Sequence, residues 1–172
     1  MTKLIQNPYF QILDTIGYTG PILLFLINIY EFFHRKPYLY AYLLSFFVNT
    51  FINSTLKMIY KIPRQSNQIY FSKYENFEGV NAYGMPSGHS QSVGFSTAFL
   101  FLGQSNSYLL VTALFISCLT FIQRYKYRRH TIMELIIGFI IGICFAYIVF
   151  NITKYYLETQ THSDDKSIFI YI

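Results

Sequence analysis

Charged side chains are scarce in this chain. Asp, Glu, Lys and Arg make up 12% of its 172 residues, against about 25% in an ordinary soluble domain. Those that occur are bunched, and long apolar runs separate the bunches. Such a pattern excludes a soluble globular surface and reads as a multi-pass membrane protein. Cysteine is scarcer still. Cys118 and Cys144 each sit inside an apolar run, so no disulfide framework is suggested, and both thiols read as small lipid- or core-facing side chains. Residues 1–18 lack a basic-then-apolar leader with a small-residue cleavage site, so the first membrane helix is expected to act as the insertion signal. Internal repeats and low-complexity linkers are absent too, and the length is that of one domain.

What the chain does have is five apolar stretches with helical character. They cover residues 16–33, 38–60, 87–103, 108–125 and 131–156. The expected fold is therefore all-α, a polytopic membrane bundle of about five transmembrane helices, with residues 1–156 as the transmembrane domain and 157–172 as a C-terminal tail. The third stretch is short. Its continuous apolar part, 93–102, is half of the ~20 residues that cross a bilayer core. Its first turn must then lie below the membrane surface, which is tolerated only where protein or a water-filled cavity surrounds it.

Five spans put the N-terminus, the 60–86 loop and the 125–130 turn on one membrane side. Of 13 Lys and Arg, nine fall there: Lys3, Lys57, Lys61, Arg64, Lys73, Arg124, Lys126, Arg128 and Arg129. The net charge of +5 does not indicate nucleic acid, because these cations flank membrane spans and form no soluble basic face. The positive-inside rule makes their side cytoplasmic, an inference that weakens to the extent that they belong to a phosphate site. Lys126, Arg128 and Arg129 read as headgroup contacts or topology signals. The aromatic 62–83 loop, with Tyr70, Phe71, Tyr74, Phe77 and Tyr83, reads mainly as an interface belt. A lid admitting a lipid tail sideways is the second reading. His34 and His162 fall on the opposite side and receive no chemistry. Glu31, near the end of the first span, reads as snorkelling.

Three clusters on the cation-rich side carry chemistry. Lys57 and Arg64, with six residues between them, fall at the end of the second helix. Pro86-Ser87-Gly88-His89 opens the third. Arg124 precedes His130 by five intervening residues, and Glu134 follows after three. A helix start with free N–H groups favours an anion. Arg and Lys pair with phosphate oxygens, and two imidazoles can divide the work of nucleophile and general acid. Thr131-x-x-Glu134 is also a capping box, so Glu134 has two available roles.

Together these clusters resemble the type 2 phosphatidic acid phosphatase / vanadium haloperoxidase superfamily, whose signature is K-x6-R-P, then P-S-G-H, then S-R-x5-H-x3-D. The resemblance implies that His130 is the nucleophile, that His89 protonates the leaving alcohol, and that Glu134 stands where the family has the Asp orienting the nucleophile. It implies phosphate binding by Lys57, Arg64, Ser87, Gly88 and Arg124, with no metal and no cofactor. Three positions depart from it: Gln65 replaces Pro, Gln123 replaces Ser and Glu134 replaces Asp. The implied function is an integral-membrane lipid phosphate phosphatase whose partners are its lipid substrate and the surrounding membrane lipids. A polyprenyl pyrophosphate phosphatase, a lipid phosphotransferase and a non-catalytic lipid-binding relative stay open. A haloperoxidase is disfavoured by the membrane spans.

Overall fold

The computed structural model describes the backbone of residues 8–71 and 78–168, and the side chains of 11–71 and 78–160. Lys3, Lys73, Tyr74, Phe77 and the His162 side chain lie outside the described residues. Five α-helices follow in order: α1 (Pro8–Phe32), α2 (Lys36–Tyr60), α3 (Gly88–Leu102), α4 (Ser107–Lys126) and α5 (Ile132–Ile168). A short 3₁₀ turn, Gly79–Ala82, precedes α3. Strands are absent among the described residues, apart from one isolated antiparallel bridge between Pro63 and Tyr83. The helix starts agree with the sequence reading to within a few residues, except that α1 begins earlier. The last helix also runs beyond residue 156. It continues to Ile168.

The chain is an integral, multi-pass membrane protein. Three helices are long and apolar enough to cross a bilayer: α1, α4 and α5. Helix α2 is as long as α1, at 25 residues, but a polar stripe lowers its hydropathy. That stripe (Ser45, Asn49, Asn53 and Lys57) is buried, while Leu44, Phe47, Phe51 and Met58 face outward. In lipid, polar groups pointing inward must find partners inside, and Asn53 and Asn49 both bond to Gln91 of α3. Asn53 Nδ2 donates to Gln91 Oε1 at 2.8 Å, and Gln91 Nε2 donates to Asn49 Oδ1 at 2.9 Å. Bonds of this sort contribute on average about 0.6 kcal/mol each in a bundle. They fix the rotation of α2 against α3.

Helix α3 is the central element and touches all four others. It approaches α5 where α5 carries Gly138-x-x-x-Gly142. A Cβ on Gly138 would stand 2.6 Å from the Ser87 carbonyl oxygen, and one on Gly142 would meet the Gln91 carbonyl. Small residues at this spacing let two membrane helices pack backbone to backbone. They set the start of α3 beside the start of α5. In the same way, Gly17 and Gly20 seat α1 on Leu119 and Thr120 of α4. The apolar core (Leu24, Tyr42, Phe95, Phe99 and Phe150 among others) lies further toward the opposite membrane side.

Candidate active site

Two local stops bring the first cluster into place. Lys57 lies in the last turn of α2, and α2 ends at Lys61, whose left-handed backbone (φ 49°) reverses the chain. The strand-like bridge from Pro63 to Tyr83 and the bond from Gly84 N–H to the Ile62 carbonyl (2.8 Å) then hold Arg64 inward. Arg64 Nε donates to the Asn81 carbonyl at 2.7 Å, and Nη1 donates to the Arg129 carbonyl at 3.2 Å. Both guanidinium bonds pin the side chain rather than leave it free to wander.

Helix α3 opens beside it. Ser87 is the N-cap, its hydroxyl accepting from Ser90 N–H at 3.4 Å. Its own N–H donates to the Glu134 carbonyl at 3.1 Å. The third cluster comes from the α4–α5 turn, which reverses at Arg128 (φ 53°) and is closed by the Arg129 N–H to Arg124 carbonyl bond of 2.9 Å. Arg124 and His130 are both buried.

Lys57, Arg64, Gly88, His89, Arg124 and His130 line one cavity of about 550 Å³. Ser87 and Glu134 stand behind its wall. The Ser87 hydroxyl, read from sequence as a phosphate ligand, is engaged in capping its own helix. Gln123, at the position where the resemblance expects a phosphate-holding serine, is buried against Gly17 of α1 and does not line the cavity. Gln65 is exposed in the loop.

His130 has a defined orientation. Its Nδ1 lies 3.0 Å from Glu134 Oε2, and its Nε2 lies 3.4 Å from Arg64 Nη1. A guanidinium donates and never accepts. The Nε2 lone pair therefore faces the cations, and the ring proton sits on Nδ1, toward the carboxylate. The same Oε2 accepts from Thr131 N–H at 3.1 Å, while Glu134 N–H donates to Thr131 Oγ1 at 3.2 Å. The two roles open for Glu134 in the sequence coexist: one oxygen caps α5 and touches the histidine. Burial pushes the His130 pKa well below the usual histidine value, and Arg64, Arg124 and Lys57 push it further the same way. Both causes favour the neutral imidazole.

Sequence reasoning missed three wall residues, Tyr18, Pro21 and Asn53, and misread Arg129. Tyr18 of α1 lines the cavity. Its ring stands 5.9 Å from the His89 ring and 6.0 Å from the Arg124 guanidinium, and its backbone carbonyl accepts from His89. Pro21, one turn on, cannot donate to Gly17 and also lines the cavity. Asn53 lies one turn before Lys57 on α2. It lines the cavity and also donates to the Pro86 carbonyl at 3.3 Å. The inward polar stripe of α2 was the signal available for it, but nothing in the sequence marks Tyr18.

Arg129 was read as a headgroup contact. That is corrected, because it is fully buried. Its guanidinium donates to Gln68 Oε1 at 3.1 Å and lies 5.0 Å over the Tyr70 ring. Next to it, Ile69 N–H donates to the Tyr127 carbonyl at 3.1 Å, and Phe71 packs between Tyr18 and Tyr127. The belt reading of the loop is thus corrected for Phe71, which is tied down beside the site. Arg129→Ala is expected to lower stability by about 2 kcal/mol, the scale of a desolvated cation–π contact plus a lost hydrogen bond. Thermal unfolding in detergent measures it, and KM should rise more than kcat falls.

A family model described as the PAP2 superfamily matches residues 38–158. The chain belongs to the PAP2 superfamily. A relative from Schizosaccharomyces pombe, named a palmitoyl-protein thioesterase-dolichyl pyrophosphate phosphatase fusion, is 31% identical over 106 residues. That match takes in 55% of this chain but only 16% of the relative. A PAP2-type phosphatidylglycerolphosphate phosphatase from Bacillus subtilis, known from its crystal structure, superposes with a TM-score of 0.67 at 21% identity. The superposition covers 87% of this chain and 79% of the other. It shows the PAP2 fold.

Proposed function

We propose that the protein hydrolyses a phosphomonoester or diphosphate on a membrane lipid through a phosphohistidine, without a metal. One observation carries the lipid: the cavity has two unlike ends. Its cationic end holds both histidines, and its other end continues between α1 and α2 along Pro21, Ile22, Phe25 and Phe46. A headgroup suits the first and an apolar chain the second.

The chemistry balances as follows. His130 Nε2 attacks phosphorus as the bond to the leaving oxygen breaks, and His89 gives its proton to that oxygen. The Nδ1 proton of His130 stays on the Glu134 side, which supports the positive charge gained by the ring. Water then attacks the P–N bond with His89 accepting its proton, and inorganic phosphate leaves. Lys57, Arg64 and Arg124 neutralise the transferring phosphoryl group. They supply the charge that a divalent ion supplies elsewhere. No group of three metal-ligating His, Cys, Asp or Glu side chains occurs among the described residues. We assign this catalytic unit to residues 1–156, with 157–172 as a C-terminal tail.

A polyprenyl diphosphate is the second reading. It is favoured by the similarity over 106 residues to a protein whose name includes dolichyl pyrophosphate phosphatase. The test is phosphate release by purified protein in EDTA from a panel holding phosphatidic acid, phosphatidylglycerolphosphate and a polyprenyl diphosphate. Release from at least one is expected. Release that requires added divalent ion would overturn the metal-free mechanism, and release from none would overturn the phosphatase.

A further inference from the structure

Gly84 lies in the segment leading into α3, two residues before Pro86. Its backbone does not require glycine, since its φ is outside the left-handed region that Gly79, Lys61 and Arg128 occupy. What surrounds it is the Glu134 carboxylate. A Cβ on residue 84 would stand 2.7 Å from Oε1, 3.1 Å from Cδ and 3.2 Å from Oε2. The three nearest atoms to that hypothetical carbon thus all belong to the one side chain that touches His130 Nδ1. The carboxylate cannot easily move aside, because Oε2 is already held by Thr131 N–H and by the imidazole. The residue 84 backbone is equally fixed, by its N–H bond to Ile62. Its carbonyl also faces the His130 ring.

From this juxtaposition we propose that Gly84 is a positioning residue for the nucleophile: the missing side chain at 84 makes the room in which Glu134, one methylene longer than aspartate, reaches His130. The pair is matched. A longer carboxylate requires the smaller neighbour, and a shorter one would leave a gap that an alanine could fill. The inference rests on His130 being the nucleophile, but the steric pairing itself does not.

The test is a double-mutant cycle over Gly84→Ala and Glu134→Asp. Gly84→Ala alone pushes the carboxylate off Nδ1 and should lower kcat by about 100-fold, the scale of an ångström-sized misplacement, with KM nearly unchanged. In the Glu134→Asp background the same alanine should cost nothing or raise kcat. Nitrogen-15 NMR of the histidine rings supplies a readout that needs no substrate. Gly84→Ala should lose the Nδ1–H signature of the bond to the carboxylate, and the double variant should regain it. An equal loss of kcat and of the NMR signature in both backgrounds would overturn the pairing. If His130 proves not to be the nucleophile, kcat is uninformative but the NMR arm still decides.

Discussion

Replacing His130 by alanine is expected to lower phosphate release by at least ~10⁴-fold while the protein stays folded, because loss of a covalent nucleophile is not made good by the remaining binding groups. The ring is buried, but its bonds run only to Glu134, toward Arg64 and to the Gly84 carbonyl, and the capping box survives without it. A short substrate pulse followed by mass spectrometry should place a phosphoryl group on His130 in the wild type and none in the variant. Full activity in His130→Ala would end the mechanism. The pH behaviour has a definite sign. Since burial and three cations hold the His130 pKa well below the ordinary value, the ring in the folded, substrate-free protein is expected to stay neutral as pH falls through about 6.5. The unfolded chain takes up a proton there and the folded one does not. This group's contribution to stability is therefore full above that pH and declines below it. An NMR titration of the free protein should show no protonation of His130 in the usual histidine range.

The second large effect separates activity from stability. Lys57→Met should lower kcat/KM by roughly 10²–10³-fold, the loss seen when one preorganised charge-stabilising donor is removed. The same substitution should raise the melting temperature of the ligand-free protein. Lys57 is buried near Arg64 and Arg124, and like charges held together repel; an apolar side chain of similar length relieves this. Orthovanadate, an oxyanion mimic of phosphate, should raise the melting temperature of the wild type by mass action and do much less for the variant. A variant that melts lower and still responds fully to vanadate would show that Lys57 is a structural anchor.

The legible parts of this molecule are those written in local pattern. Apolar runs marked the helices, and the Lys57, Pro86–His89 and Arg124–His130 spacings marked a site before any contact was known. The illegible parts depend on which distant segments meet. Arg129 looks like its exposed neighbour Arg128 in sequence; only the reversal at Arg128 decides that one points to solvent and the other under Tyr70. Tyr18 is one aromatic among many, and its value comes from the seating of α1 on α4 through Gly17 and Gly20. Glu134 offered two readings because each was framed as claiming the whole side chain, whereas one oxygen can accept two bonds.

The short central helix has a consequence for the membrane itself. At about 1.5 Å per residue, the 15 residues of α3 span roughly 22 Å of a hydrocarbon core about 30 Å thick. Its far end is moored, since Arg35 Nη1 donates to the Gly103 carbonyl at 2.7 Å. The whole shortfall therefore accrues at the histidine end. For the proposed lipid substrate, bilayer thickness should then be a kinetic variable: a thin membrane would bring the headgroup phosphorus level with His89 and His130, and a thick one would make the headgroup sink before it reacts.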